Sequence, residues 1–289
     1  TGIVSFAHTM FYGIGAYGVG LSLHSVGPTW GAVFMGLTIA VMLSLALALV
    51  IGLLVFKFIL GDPSHFENGD PKGHPHPGDY LGMMYKGGPL VPILMANFII
   101  VLSVIIERLI TIGAASGKGS IQNFVRRIKV NLDNNSIDQA IADCDKQKGS
   151  VANVIREGLT KYKEMASNTQ MDKEQKVLAI QKEIEESTSL ELPVLEKNLV
   201  ILATISSVAT LLGLLGTVFG MIRAFSAIAT AGAPDAVALS TGISEALINT
   251  ALGIGTSALA IISYNYFTTR IDGMTYGIDE AGFSIAQTF

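Results

Sequence analysis

The chain has 289 residues, half of them hydrophobic and only 15% charged, against about 25% charged in soluble domains. The net charge of −4 selects no partner class, and no nucleic-acid partner is expected. The single cysteine, Cys144, excludes an internal disulfide, and it lies in the most charged part of the chain, as on a reducing cytoplasmic side. Charge is unevenly spread. Residues 31–56, 87–106 and 198–222 carry none, and residues 236–269 carry only Glu245. A membrane span needs about 20 mostly apolar residues, so each stretch is long enough.

In chain order, residues 1–29 combine Gly13, Gly15, Gly18 and Gly20 with Phe6, Phe11, Tyr12 and Tyr17 and have no Lys or Arg. They read as an interfacial or re-entrant segment, with a fifth span as the alternative. The start carries no basic leader and does not read as a signal peptide. Residues 30–60 predict a transmembrane helix, with Lys57 snorkelling at its end. Residues 61–86 read as a connector; Gly and Pro are too dense in GDPSHFENGDPKGHPHPGD for a helix. His65, His74 and His76 in this loop read as exposed and unliganded, and no metal or other cofactor is expected.

Residues 87–114 predict a second transmembrane helix and residues 115–198 a helical domain. There Asn134-Asn135-Ser136 marks a turn with an N-cap. A long helix is predicted from Met171-Asp172 through KEQKVLAIQKEIEESTSLELPVLEKNLVILATI into the next span, continuous but kinked at Pro193. Two further spans, residues 199–229 and 237–268, flank a short turn at 230–236, and residues 269–289 close the chain. The fold class is all-α, a polytopic helical membrane bundle.

Lys and Arg mark the cytoplasmic side, and residues 115–198 hold 13 of the 19. The start, the 115–198 domain and the 269–289 segment therefore read as inside, and 61–86 and 230–236 as outside.

The last two spans carry the chemistry. Gly213, Gly216, Thr217, Gly220 and Ala224 fall on one helix face, a small surface suited to close helix contact in lipid. The second helix adds Gly242 and Gly253. A membrane Thr is most often bonded to its own backbone, so Thr217 reads either as that or as part of a pore lining. Glu245 is the anomaly, since a carboxylate in a span is costly and functional by default. Asn249 lies one turn on and Thr256 continues that face, whereas Thr250 points about 140° away from Glu245. A hairpin turn symmetric about 233–234 sets Thr217 level with Thr250 and Arg223 level with Glu245. Arg223 then reads as a partner of Glu245 or as a residue snorkelling to headgroups. Arg223, Asn249 and Thr256 are candidates for polar contacts in a pore or between subunits.

GLLGTVFGMIRAF, then GISEALINTALG, then SYNYF closely resemble the pore-helix pair of the MotA/TolQ/ExbB family, of the ExbB and TolQ type. GGPLVPILMANFIIVLSVIIERLITI is similar to the family's helix before its cytoplasmic domain. The resemblance implies a homo-oligomeric ring, a pentamer, in which each subunit gives two long helices to a central pore. It implies ExbD-like single-span partners in that pore, whose helix carries a protonatable aspartate, and a TonB-like protein driven by proton flow. It also implies a bacterial inner-membrane location, with Thr217, Thr250 and Glu245 on the proton pathway. Asn249, where the family carries Ala, and Arg223, where it carries an uncharged polar residue or His, depart from the pattern. So do Leu259, where it carries Pro, and the extra span at 30–60.

An ExbB-like role is the first reading, with TolQ-like envelope maintenance or a flagellar or gliding stator beside it. A stand-alone secondary transporter predicts internal repeats and broken helices, and neither is visible. A scaffold leaves the cost of Glu245 without a purpose. An enzyme is not expected, because no nucleophile, base or ligand cluster occurs at a workable spacing.

Overall fold

The computed structural model describes residues 46–230, apart from Lys72, and residues 236–289. The 1–29 segment, the first half of the 30–60 span and nearly all of the 230–236 turn lie outside the described residues. Every regular element among them is helical, and the one β-bridge, Phe66 to Pro75, is isolated. Among the described residues, three helical runs are long and apolar enough to cross a membrane. The chain is a helical membrane protein. It divides into two compact units, one of residues up to Glu107 with Ile201–Ser263, the other of Arg108–Val200 with Tyr264–Phe289.

In the first unit, α1 (Ala46–Leu60) ends in a wider π-turn, Val55–Leu60, closed by the Gly61 N–H on Phe56 O at 2.9 Å. Gly52 lets α1 approach the next long helix: a Cβ there would come within 2.5 Å of Pro92 O.

The connector that follows is folded around its aromatic residues. Phe66 is buried, Tyr85 stacks on Phe56 at 4.6 Å, and Phe66 meets Tyr85 edge-on at 5.5 Å. Lys86 lies over the Phe66 ring and donates to Pro71 O at 3.1 Å. The stretch too rich in Gly and Pro for an α-helix forms two three-residue 3₁₀ turns, Pro63–His65 and Glu67–Gly69. A short helix, α2 (Tyr80–Tyr85), begins only after it. Asp79 caps α2, accepting from the N–H groups of Leu81 and Gly82, and also holds His65 Nδ1 at 2.7 Å. The Gly82 N–H first, and then His65, hold the Asp79 carboxyl below its ordinary value. His74 and His76 are exposed. A turn at Gly87-Gly88, with Gly88 at φ +75°, leads into α3 (Val91–Ala115).

In the second unit, α4 (Ile121–Asp133), α5 (Ile137–Gln147), α6 (Ser150–Ser167) and α7 (Lys173–Glu196) pack each on the next. Phe124, Ile128, Leu132, Cys144, Ile155, Leu159 and Ile180 fill their core. Burial, with Asp145 and Asp143 beside it, pushes the Cys144 thiol up to about 12. Ser136 stands at the N-cap of α5 as the turn predicts, but its hydroxyl donates to Asn134 O rather than capping the helix. Asp172 opens α7 in a capping box with Gln175.

The long helix expected to run through Pro193 into the next span is instead interrupted. α7 ends at Glu196, and Asn198 turns into the left-handed region at φ 65°. Pro193 lacks an N–H to extend the helical ladder, and Asn tolerates the left-handed turn better than most residues. The buried Arg108 donates to Leu195 O at 3.1 Å, satisfying a carbonyl of the last turn.

Two helices complete the chain, α8 (Leu199–Thr230) and α9 (Ala236–Thr288). At 53 residues, α9 is about 80 Å long. The closing segment 269–289 is therefore helical. Within the second unit it buries Ile271, Met274, Ile278, Ala281 and Ile285, and Phe289 meets Tyr162 edge-on.

Candidate functional site: the α8–α9 seam

Glycines set how closely α8 and α9 approach. A Cβ at Gly220 would lie 2.7 Å from both Ala246 N and Gly242 O, and one at Gly253 2.6 Å from Ala209 O. At Gly213 it would lie 3.1 Å from Asn249 O, and at Gly242 2.8 Å from Ala224 N. Gly216 lies against the side chain of Asn249. A side chain at Gly220, Gly242 or Gly253 would run into the backbone of the facing helix and force the two apart, so the small stripe is the contact surface itself.

Two polar layers cross this seam. In the first, Thr217 Oγ1 and Thr250 Oγ1 are directly hydrogen-bonded, and each also lies 3.3 Å from Gly213 O. Two hydroxyl protons serve three contacts, so either Thr can donate to the other while the second donates to the carbonyl. Both threonines remain partly accessible.

In the second layer, Arg223 Nη1 lies 2.6 Å from Glu245 Oε2 and 2.9 Å from Oε1. The Glu245 side chain is 6% exposed and that of Arg223 57%. Arg223 thus turns inward to the carboxylate. Both facing pairs fall in the register that an antiparallel hairpin predicts.

Asn249 is fully buried, and its Nδ2 donates to Gly87 O at 2.8 Å while its Oδ1 has no partner. A Cβ added at Gly88 would fall onto the Glu245 carboxyl. Sequence reasoning missed this contact with the Gly87-Gly88 turn, though two adjacent glycines before a proline signal a close backbone approach. Thr256 is buried on α9. Below the threonines, the Ser257 hydroxyl donates to Ser206 O. Among the described residues no group of three or more His, Cys, Asp or Glu could hold a metal ion.

The arrangement offers a pair of uncharged hydroxyls and one ion pair inside an apolar hairpin.

Residues 146–280 match the MotA/TolQ/ExbB proton channel family, so the resemblance read from the sequence holds. The Tol-Pal system protein TolQ of Pseudomonas aeruginosa is 31% identical over 132 residues, 46% of this chain and 57% of that protein. TolQ of Haemophilus influenzae is 38% identical over 94 residues, covering 31% and 41%. The biopolymer transport protein ExbB of Pseudomonas putida is 38% identical over 81 residues, covering 28% and 25%. Each match takes in less than two thirds of the relative's own length.

Proposed function

Starting from a chain whose residues 146–280 carry the signature of the MotA/TolQ/ExbB proton channels, we propose that it is the ring-forming subunit of a proton-driven motor in a bacterial inner membrane. With ExbD-like single-span partners in its pore, it uses the proton gradient to energise a TonB-like protein for outer-membrane transport. The observation that carries this reading is the Thr217–Thr250 hydroxyl pair, set between two helices close-packed through glycine.

Hydroxyls donate and accept without a fixed charge. A proton arriving on one oxygen can be matched by release of that oxygen's own proton to the next acceptor. A carboxylic acid on a partner helix, resting beside them in an apolar lumen, gains a hydrogen-bonding neighbour in either protonation state. Glu245 stands in the next layer, neutralised by Arg223. Residues 115–198 and the 269–289 segment lie in the cytoplasm, and the 61–86 connector and the 230–236 turn outside. Five subunits form the ring, each giving α8 and α9 to the pore wall.

The TolQ relatives support a second reading, envelope maintenance in a Tol-Pal system, because the P. aeruginosa TolQ match extends over 132 residues. Expression in strains lacking ExbB or TolQ separates the two. Restored uptake of an iron chelate supports the first, restored detergent resistance the second, and rescue of neither argues against both. Co-purification with a single-span protein bearing a membrane Asp tests the motor reading directly.

A further inference from the structure

The Arg223–Glu245 pair is covered on one side by a segment that the pore helices do not supply. The Gly87-Gly88 turn follows the folded connector and enters α3. Its first carbonyl accepts from Asn249 at 2.8 Å, and a Cβ at its second glycine would fall onto the Glu245 carboxyl. Gly87 itself sits against Ile248, where a Cβ would come within 2.8 Å of Cγ2. Glu245, Ile248 and Asn249 thus form one face of α9 given over to this turn.

The state of Asn249 argues for a purpose. Its Oδ1 is buried without a partner among the described residues, while its Nδ2 is bonded. Reversing the amide would set oxygen against the Gly87 carbonyl oxygen, so the donor is the end that the site uses. Leaving a buried acceptor unmatched is unfavourable. An apolar side chain of the same size would remove that cost but also release the turn.

We propose that Asn249 and Gly88 are positioning residues: together they clamp the connector's exit turn over Glu245, close its approach from that side and hold its carboxylate for Arg223. The outer connector is then part of the polar layer rather than a spacer, and among the described residues Glu245 is approached past the exposed side of Arg223.

The test is labelling of Glu245 by a membrane-soluble carbodiimide, which adds to protonated carboxyls, in the full-length chain in lipid vesicles, read by mass spectrometry of the Glu245 peptide. Wild-type protein should label weakly. Asn249→Leu and, independently, Gly88→Ala should each label severalfold more. Arg223→Gln should also label strongly, because it opens the exposed side of the pair. Maleimide labelling of Cys144, buried in the other unit, reports general unfolding and should stay low in every variant. Wild-type-like labelling of both Asn249→Leu and Gly88→Ala would overturn the proposal. So would increases that appear only together with Cys144 exposure. The readout needs no motor activity, so its failure is distinct from failure of the proton-channel reading.

Discussion

Arg223 on α8 and Glu245 on α9 form an ion pair in which the acid is buried, at 6% exposure, and the base is not, at 57%. The two partners are therefore unequal. Removing Arg223 leaves an uncompensated carboxylate inside the seam. Removing Glu245 leaves a guanidinium that can still turn outward.

The first prediction follows from that inequality. Arg223→Ala should destabilise the α8–α9 hairpin by about 3 kcal/mol, the lower end for stripping a partner from a buried charge. Glu245→Gln should destabilise it less while still impairing coupling or assembly. Thermal unfolding in detergent micelles ranks the two. An equal or reversed ranking would mean that the pair does not sit as described.

Thr217→Val and Thr250→Val keep shape and remove the hydroxyl. Each should abolish proton-coupled work, measured as proton flux into vesicles holding the full complex, while ring mass stays unchanged. Unaltered flux in both variants would remove the hydroxyl pair from the pathway.

Glycine contacts make the seam sensitive to a single carbon. Gly220→Ala places a Cβ 2.7 Å from backbone atoms of α9, which cannot swing aside as a side-chain tip can. A loss of about 1–3 kcal/mol is expected for such overpacking, with fewer intact rings in native mass spectra. Gly255→Ala, where a Cβ would meet nothing within 4 Å, is the matched control and should be silent.

Cys144 gives a pH-dependent readout. Burial raises its thiol from an ordinary 9.0 to about 12, so the folded protein holds that proton more tightly than the unfolded chain. The sign follows: this group leaves stability untouched below 9 and lowers it as the pH climbs from 9 toward 12. Iodoacetamide at pH 8 should leave the native thiol unmodified and alkylate it in denaturant. Rapid native alkylation would show that the α4–α7 core is open.

Much of this hairpin was legible in the sequence because two physical rules act locally. Helical spacing put Gly213, Gly216 and Gly220 on one face, and antiparallel arithmetic set Thr217 level with Thr250 and Arg223 level with Glu245. What escaped depends on distant parts of the chain. Asn249 finds its partner at Gly87, 162 positions away, and periodicity cannot reveal that. The sequence reading expects a kink at Pro193 in a continuous helix and misses the interruption at Asn198, because proline announces itself in a sequence while a left-handed asparagine does not. Residues 269–289 mix charges and glycines too freely to advertise a helix, and only their packing with Ile121, Tyr162 and Ile184 explains why they form one.

The hydroxyl pair has a consequence for how such a machine would respond to its surroundings. Threonine does not titrate anywhere in the range that cells occupy, so the Thr217–Thr250 pair offers the same groups at pH 5 as at pH 9. In the proposed motor, any dependence of turnover on acidity must then enter through the partner's acid or the groups around it. Changing the companion helix, with the ring left alone, should be enough to retune it.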